Sequence, residues 1–256
     1  MQKINLFEMT RPEVEQAIAA GFDTVIVPLG STEQHGLHLP LGTDAILGEA
    51  LGERVARTLG NALLAPGIPI GCSKHHMDFA GSLTLSQETF SRVVADLCRS
   101  LAHHGFDHIV LIPSHGGNFA PLAKAVETIR PELAGVNLIA YTDLMGFMNE
   151  IFRVGKARQV TPEKAGAHSG EFETSLMLTV RPDLVTMDMA QPGYVGDPLS
   201  IAPVVFEKGF RAASENGVLG DPSDASADNG EAYLDALTDL LVHFIEKQKQ
   251  MPNDVA

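Results

Sequence analysis

The sequence predicts an α/β protein whose central sheet is mainly parallel and covered by helices on both faces. Two observations support this fold class. Strand-sized apolar runs alternate with segments of helical periodicity, and the runs are mostly apolar, as in strands buried on both sides. With 256 residues, 45% of them hydrophobic, the chain is long enough for a full core. We expect a single domain over residues 1–256.

The predicted strands are four short runs rich in β-branched and aliphatic residues. Residues 108–113, with the sequence HIVLIP, form the clearest one, and residues 24–29 are closed by Gly30. Residues 61–65 and 136–141 complete the set. Because ligands bind at the carboxyl ends of parallel strands, loops 30–44 and 114–118 are the expected positions of a site.

The predicted helices follow from apolar stripes at helical spacing. Ser86 is a suitable N-cap for one of them, which runs to about residue 104. Segment 191–228 is rich in Gly, Pro, Ser and Asp, so it is predicted to be mostly loop, with 191–226 as a candidate interface or lid. The other predicted helices are 44–59, 121–130, 144–152, 171–179 and 232–250.

Composition restricts the classes of partner and compartment. The chain has 18 Lys and Arg against 32 Asp and Glu, a net charge of −14, which argues against nucleic acid and anionic membranes. Two cysteines exclude a disulfide framework, and the N-terminus is polar and mixed in charge, unlike a signal peptide. We therefore predict a cytoplasmic protein.

The loop after the first strand contains residues that could hold a divalent cation. Glu33 and His35 are two apart, so in an extended segment both side chains point the same way. Asp44 follows where a helix should begin. Two carboxylates and an imidazole suit a metal, but Asp44 could equally be a helix cap, and His38 competes with His35.

The loop after the third strand has the sequence SHGGN (114–118). Its paired glycines permit a sharp turn, and His115 stands just past the strand, where side chains enter a site. A turn histidine bonded to a backbone carbonyl is the alternative. The glycines and the helix start could also cradle an anion, although no phosphate-binding loop motif is present.

A third cluster, HSGEFE, places His168 and Glu171 three residues apart, at a spacing that would share a helix face. Glu173 would then lie elsewhere. The alternative is a helix start with acids in its first turn, as the helix dipole favours.

Together these segments resemble the creatininase family. The segments that carry the resemblance are PLGSTEQHGLHLPLGTD (28–44), GCSKHHMDFAGSLTLS (71–86), SHGGN and HSGEFETS (168–175). The resemblance implies a three-layer α/β/α fold with two divalent metal ions per subunit (Zn, Mn or Fe). It further implies that Glu33 and His35 supply one ligand to each metal, that Asp44 bridges them and that His115 completes the first site.

Two departures from the family pattern affect the site. Creatininase carries a metal-binding glutamate two residues beyond the turn histidine, where this chain has Gly117, and we expect Glu171 to supply the missing carboxylate. His168 resembles the family's proton-transfer histidine. The chain also lacks tryptophan, which in creatininase closes over the substrate. Phe147, Phe152 or Tyr141 could substitute, and creatinine is not the expected substrate.

The resemblance thus implies a metal-dependent amidohydrolase acting on a small cyclic amide or lactam, with water activated by the binuclear centre. A deformylase acting on a formamide and a peptidase of the mycofactocin-system type are the alternatives. A non-catalytic ligand-binding module is a third possibility. Family members form closed oligomers, so a homo-oligomer, a hexamer by resemblance, is expected.

Overall fold

The computed structural model describes residues 3–250 and contains one parallel sheet of four strands. The strands are β1 (Thr24–Leu29), β2 (Ala62–Leu64), β3 (His108–Pro113) and β4 (Asn137–Ala140), in the order β2-β1-β3-β4. All three pairings are parallel, and β1 pairs with β3 over its full length. The four predicted strands are therefore confirmed, although β2 and β4 are shorter than predicted.

The described residues also form ten α-helices. Their bounds are α1 (Arg11–Ala19), α2 (Thr43–Leu59), α3 (Gln87–His103), α4 (Phe119–Ile129), α5 (Leu144–Ala157), α6 (Pro162–Ala165), α7 (Glu171–Val180), α8 (Pro198–Lys208), α9 (Phe210–Ala213) and α10 (Ala227–Gln250). Ser86 caps α3 as predicted, because its hydroxyl accepts from the Thr89 N–H.

The strand order explains how the helices divide between the two faces of the sheet. The β1–α2–β2 connection moves in one direction along the sheet, and β2–α3–β3 and β3–α4–β4 move in the other. Since such crossovers are right-handed, α2 covers one face and α3 and α4 cover the opposite one. Helix α10 packs with α2, α5 and α7, and α3 packs with α4. The predicted three-layer α/β/α fold class is confirmed.

The segment predicted to be mostly loop, 191–228, is more helical than its composition indicates. It contains α8 and α9. Pro198 stands in the first turn of α8, and Asp197 caps this helix by accepting from the Leu199 N–H. Proline and aspartate therefore begin a helix here, although the composition of the segment predicts a loop. Helix α1, which a Thr10–Glu13 capping box starts, was also not predicted.

Among residues 3–250, no helix has both the length and the apolarity needed to span a membrane. The core is formed mainly by the sheet and the helices against it, and Tyr233 and Leu241 of α10 are fully buried in it.

The sheet has its switch point between β1 and β3. From this pair one connection leads outward to β2 and the other to β4. Loops at such a point diverge and leave a crevice at the carboxyl ends of the strands. The fold therefore brings loops 30–42 and 114–118 to the same crevice, beside the start of α2.

Candidate metal centre

The crevice contains a buried cluster of carboxylates and imidazoles. The loop after β1 provides Glu33 and His35, the first turn of α2 provides Asp44, and the turn after β3 provides His115. The start of α7 adds Glu173. All five side chains are buried.

Asp44 lies between two histidines. Its Oδ1 is 3.3 Å from His35 Nε2, and its Oδ2 is 3.2 Å from His115 Nδ1. The carboxylate thus presents one oxygen to each side of the cluster. This arrangement suits a bridging ligand, and it is not the helix-capping role that the sequence left open, since the N-cap of α2 is Gly42.

In both His35 and His115, the ring nitrogen that points away from the carboxylates contacts other protein atoms. His35 Nδ1 donates to the Glu33 carbonyl at 3.0 Å. His115 Nε2 lies 3.3 Å from the Ser73 hydroxyl and 3.4 Å from the Cys72 carbonyl. The inner nitrogen of each ring faces the carboxylates. Metal-binding histidines are typically oriented by such an outer N–H contact.

Glu33 is held by two histidines. Its Oε1 lies 3.2 Å from His115 Nδ1 and 3.0 Å from His76 Nε2. His76 belongs to the segment after β2. Its side chain is buried. Gln34 Nε2 donates to His76 Nδ1 at 3.2 Å, which leaves His76 Nε2 facing the Glu33 carboxylate.

The structure does not bring Glu171 to this cluster. The Glu171 carboxylate accepts hydrogen bonds from Ser175 (2.8 Å), Asn229 (2.7 Å) and Tyr233 (2.7 Å), and so faces α10. Glu173 Oε2 instead lies 3.8 Å from His35 Nε2. The helix begins only at Glu171, so His168 and Glu171 do not share a helix face and the spacing argument for Glu171 fails.

The surroundings of Gly117 are crowded. A Cβ at Gly117 would overlap His115 Nε2 and would lie 2.5 Å from the Cys72 carbonyl oxygen and 2.8 Å from His75 Cε1. A glutamate therefore has no room at this position unless the loop moves. The carboxylate on the His35 side comes from Glu173 in α7.

Asn118, the last residue of the glycine turn, ties three segments together. Its Nδ2 donates to the Leu29 and Gly30 carbonyls, both at 3.0 Å, and its Oδ1 accepts from the Cys72 N–H at 2.9 Å. The end of β1, the segment after β2 and the turn after β3 are thereby fixed relative to one another. This contact holds the backbone of the metal-centre loops, a role that the sequence did not indicate.

His168 faces the cluster with an unprotonated nitrogen. Its Nε2 donates to the Gln34 carbonyl at 2.6 Å, which places the proton on that nitrogen. Its Nδ1 lies 4.0 Å from Glu33 Oε1 and 3.9 Å from Glu173 Oε2. The ring is thus positioned beside the carboxylates, as the sequence predicts, and its inner nitrogen is able to accept a proton.

The charges of the cluster favour a bound cation. Burial disfavours charge on His115, but Glu33 and Asp44 raise the pKa of this histidine well above its ordinary value. Burial likewise opposes charge on His35, but Asp44 raises its pKa to about 9. Burial raises the pKa of Glu173 to about 7. The carboxylates thus attract positive charge to the inner nitrogens, which are the atoms that would bind a metal.

The pKa of His168 shifts in the opposite direction. Burial, followed by the nearby His35 and His76, lowers the pKa of His168 well below its ordinary value. The imidazole is therefore neutral at neutral pH, as a group that accepts a proton must be.

Buried polar atoms without a hydrogen bond indicate whether these residues fit a metal. Several buried atoms that face one another make no hydrogen bond: Glu33 Oε1 and Oε2, His35 Nε2 and Asp44 Oδ2. Leaving such atoms unpaired is costly unless a further group satisfies them. Carboxylate and imidazole donors suit Zn, Mn and Fe. Donor atoms of Glu33, His35 and Asp44 lie within 4.8 Å of one another, as do those of His35, His168 and Glu173. The residues fit divalent cations.

The fold and the site define an α/β protein with a buried carboxylate–histidine cluster, a candidate cation site, at the switch point of its sheet. A family model described as creatinine amidohydrolase matches residues 7–245. The chain is a hydrolase that belongs to the creatininase family.

Relatives and solved structures agree with this assignment. The mycofactocin precursor peptide peptidase of Mycobacterium ulcerans is 32% identical over 238 residues, which cover 90% of this chain and 87% of that protein. The creatinine amidohydrolase of Pseudomonas putida is 29% identical over 254 residues, or 94% and 95% of the two chains. A solved mutant creatininase of Zn-Zn type superposes with a TM-score of 0.82 at 27% identity, covering 98% of this chain and all of that one.

Proposed function

We propose that the chain is a metal-dependent amidohydrolase that cleaves an amide C–N bond of a small molecule at a binuclear centre. One observation carries this proposal: the buried Asp44 carboxylate presents one oxygen to His35 and the other to His115, with unpaired donor atoms on both sides. A carboxylate placed in this way between two histidines would suit two adjacent cations.

We assign Glu33, Asp44 and His115 to one cation and His35, Asp44 and Glu173 to the other. Glu173 replaces Glu171 in this set because of its approach to His35. The likeness to a creatininase of Zn-Zn type supports two cations. The donor types are compatible with Zn, Mn or Fe.

When bound, two such cations acidify water and polarise a carbonyl oxygen. The protein's own groups then move the protons. His168 Nδ1 takes a proton from the attacking water and passes it to the leaving nitrogen, a transfer that needs a ring which is neutral at rest. Gln34 holds the opposite edge of the ring, so that Nδ1 keeps facing the cluster.

The bond that we assign first is a cyclic amide or lactam of a small molecule. A second candidate is a peptide bond, which the similarity to the mycofactocin precursor peptide peptidase of Mycobacterium ulcerans favours. Hydrolysis of a formamide is the remaining alternative. We further propose a cytoplasmic homo-oligomer, with a hexamer expected from the family resemblance and light scattering after size exclusion as its test.

The test uses protein stripped with a chelator and reloaded with Zn, Mn or Fe(II). Lactams, hydantoins, cyclic imides, formamides and short peptides are then screened by mass spectrometry, with His168→Ala as the inactive control. Ring opening with the gain of one water supports the first assignment. Release of formate supports a deformylase, and fragment pairs support a peptidase. If the loaded protein cleaves none of these amides, the proposed activity is wrong.

A further inference from the structure

The candidate metal centre forms one end of a cavity of about 350 Å³. Glu33, Asp44, His115, His168 and Glu173 make up the polar end. The rest of the wall is mostly apolar and comes from seven helices, α2, α4, α5 and α7 to α10. Its aromatic members are Phe119, Phe147, Phe172, Phe206 and Phe210.

The aromatic side chains of this wall come partly from segment 191–228, which the sequence predicts to be mostly loop, with 191–226 as a candidate interface or lid. Of the three aromatic residues expected to replace the missing tryptophans, Phe147 lines the cavity, and Phe152 and Tyr141 are not among its lining residues. Helices α8 and α9 supply Phe206 and Phe210 instead. The Phe210 ring lies 4.0 Å from the His76 ring and 4.7 Å from the His168 ring, measured between centroids. The apolar wall therefore begins directly beside the reacting groups.

The size of the cavity exceeds what a small polar ring needs. An apolar protein cavity of about 150 Å³ already binds benzene. The volume here is more than twice as large, so an aromatic ring and an amide group can be accommodated together.

The polarity of the wall selects against polar substituents. Among the described lining residues outside the metal centre, Ser114 and His75 are the polar side chains, and Ser114 donates its hydroxyl proton to the Asp44 carbonyl at 2.7 Å. A polar substituent in this part of the cavity would lose its water and find few partners, which is unfavourable. An apolar substituent gains from the same transfer.

The mouth of the cavity exposes three large apolar side chains. Met145 of α5 and Leu199 and Phe206 of α8 line the cavity, yet they are 45%, 46% and 56% exposed. Exposed apolar side chains that gather at one opening mark an interaction site, whereas scattered ones do not. Phe206 also packs on His75, with ring centroids 4.9 Å apart, so the mouth is continuous with the site.

We propose that the substrate carries a bulky apolar group, aromatic or branched aliphatic, beside the scissile amide, and that Met145, Leu199 and Phe206 recognise this group. The inference rests on the proposed amidohydrolase function for the position of the amide. The apolar group occupies the wall formed by α5 and α8 while the amide faces Asp44 and His168.

A binding experiment tests the cavity independently of catalysis. Metal-free protein is titrated with N-benzylacetamide and with N-methylacetamide in a calorimeter. We expect the Kd of the benzyl compound to be at least about 10-fold lower than that of the methyl compound. A single added methylene group in a fitting apolar pocket already changes the affinity by a factor of this order. Equal Kd values, or tighter binding of the methyl compound, would overturn the proposal.

Two variants assign the recognition to the mouth. Phe206→Ser should raise the Kd of N-benzylacetamide about 5-fold or more without changing that of N-methylacetamide, because only the larger ligand reaches this side chain. Phe7→Ser is the matched control, since Phe7 is 83% exposed and does not line the cavity. If Phe206→Ser changes the oligomeric state but not the Kd ratio, the exposed side chains serve subunit contact and the proposal is wrong.

A kinetic comparison separates this inference from the proposed function. With metal-loaded protein, kcat/KM for 5-benzylhydantoin should exceed that for unsubstituted hydantoin by at least about 10-fold. Preferential binding of the benzyl amide without cleavage of any amide would remove the proposed function and keep the apolar site. Cleavage with a preference for the unsubstituted ring would support the proposed function and overturn the apolar site.

Discussion

Glu173 Oε2 lies 3.8 Å from His35 Nε2, although the two residues are far apart in the sequence. Glu173 is in the first turn of α7, and its Oε2 also accepts from the Ser169 N–H at 2.5 Å. The carboxylate is therefore fixed against the helix N-terminus and aimed at the imidazole. This relationship gives the His35 side of the cluster the carboxylate that Gly117 cannot provide.

The first prediction separates the two glutamates of α7. Glu173→Gln should weaken the binding of one metal ion by more than about 100-fold, because it removes an assigned ligand. Loss of a residue that only hydrogen-bonds to a ligand typically costs about 10- to 100-fold. The expected content falls from two metal ions per chain to one. Inductively coupled plasma mass spectrometry after dialysis against a weak chelator measures it.

Glu171→Gln is the matched control for this prediction. It should leave the metal content at two but lower the free energy of unfolding by about 1–3 kcal/mol, because an amide N–H₂ would face the donors Tyr233 or Asn229. A loss of metal in Glu171→Gln with none in Glu173→Gln would restore the ligand set that the sequence predicts.

The second prediction concerns proton transfer. His168→Ala should lower kcat by about 10²- to 10⁴-fold, the usual contribution of a general acid or base. The metal content should stay at two, since His168 is not in the assigned ligand set. Steady-state kinetics and metal analysis on the same preparation check both points. If the variant loses a metal ion, His168 acts as a ligand and the role assigned to it is wrong.

The third prediction uses the two glycines of the turn after β3. Gly117→Ala should weaken metal binding, because the added Cβ would displace His115 or the Cys72 backbone. Gly116→Ala is its control, since a Cβ there meets nothing within 4 Å. Chelator competition measures both affinities. Equal affinities in the two variants would show that the turn yields without moving His115.

The fourth prediction concerns Asn118. Asn118→Ala leaves the Leu29 and Gly30 carbonyls and the Cys72 N–H without this partner. Each buried group left unsatisfied costs about 1–3 kcal/mol, so the free energy of unfolding should fall clearly below that of the parent protein. Urea denaturation measures it, with the exposed Asn149→Ala as control. A stability within error of the parent would contradict this structural role.

The fifth prediction follows from His38, whose Nε2 is 2.9 Å from the Thr174 hydroxyl. Burial, with a smaller effect from His35, lowers the pKa of His38 from 6.5 to about 4. Between these values the unfolded chain binds more protons than the folded one. The stability of the metal-free protein is therefore full above about pH 6.5 and is lost as the pH falls towards 4, at up to about 1.4 kcal/mol per pH unit from this group.

His38→Gln should make that pH dependence shallower. Urea denaturation at a series of pH values in the presence of a chelator measures the slope. His104→Gln, which changes an exposed histidine at the end of α3, should keep the parent slope. An unchanged slope in His38→Gln would mean that other buried histidines account for the acid sensitivity.

The sequence predicted the fold well because its signals are local. The runs at 24–29 and 108–113 are apolar after their first residue, and the alternation of such runs with helices along the chain implies parallel strands. The placement of Glu33, His35, Asp44 and His115 at one crevice also follows, because the carboxyl ends of neighbouring parallel strands meet there.

The rest of the site depends on features that spacing does not encode. The choice between Glu171 and Glu173 is decided by where α7 begins and by Tyr233 on α10, which is distant in sequence. The sequence does not predict the cavity wall from α8, because Asp197 and Pro198 are typical of loops, although here they start a helix. Such outcomes depend on tertiary packing, which a single sequence does not display.

The binuclear assignment is tested most directly by counting metal ions in the purified chain after reloading and dialysis. We expect two Zn, Mn or Fe ions per chain in the parent protein and one in Glu173→Gln. Two ions in both proteins would remove Glu173 from the site. One ion or none in the parent protein would contradict the central claim that Asp44 bridges a metal pair.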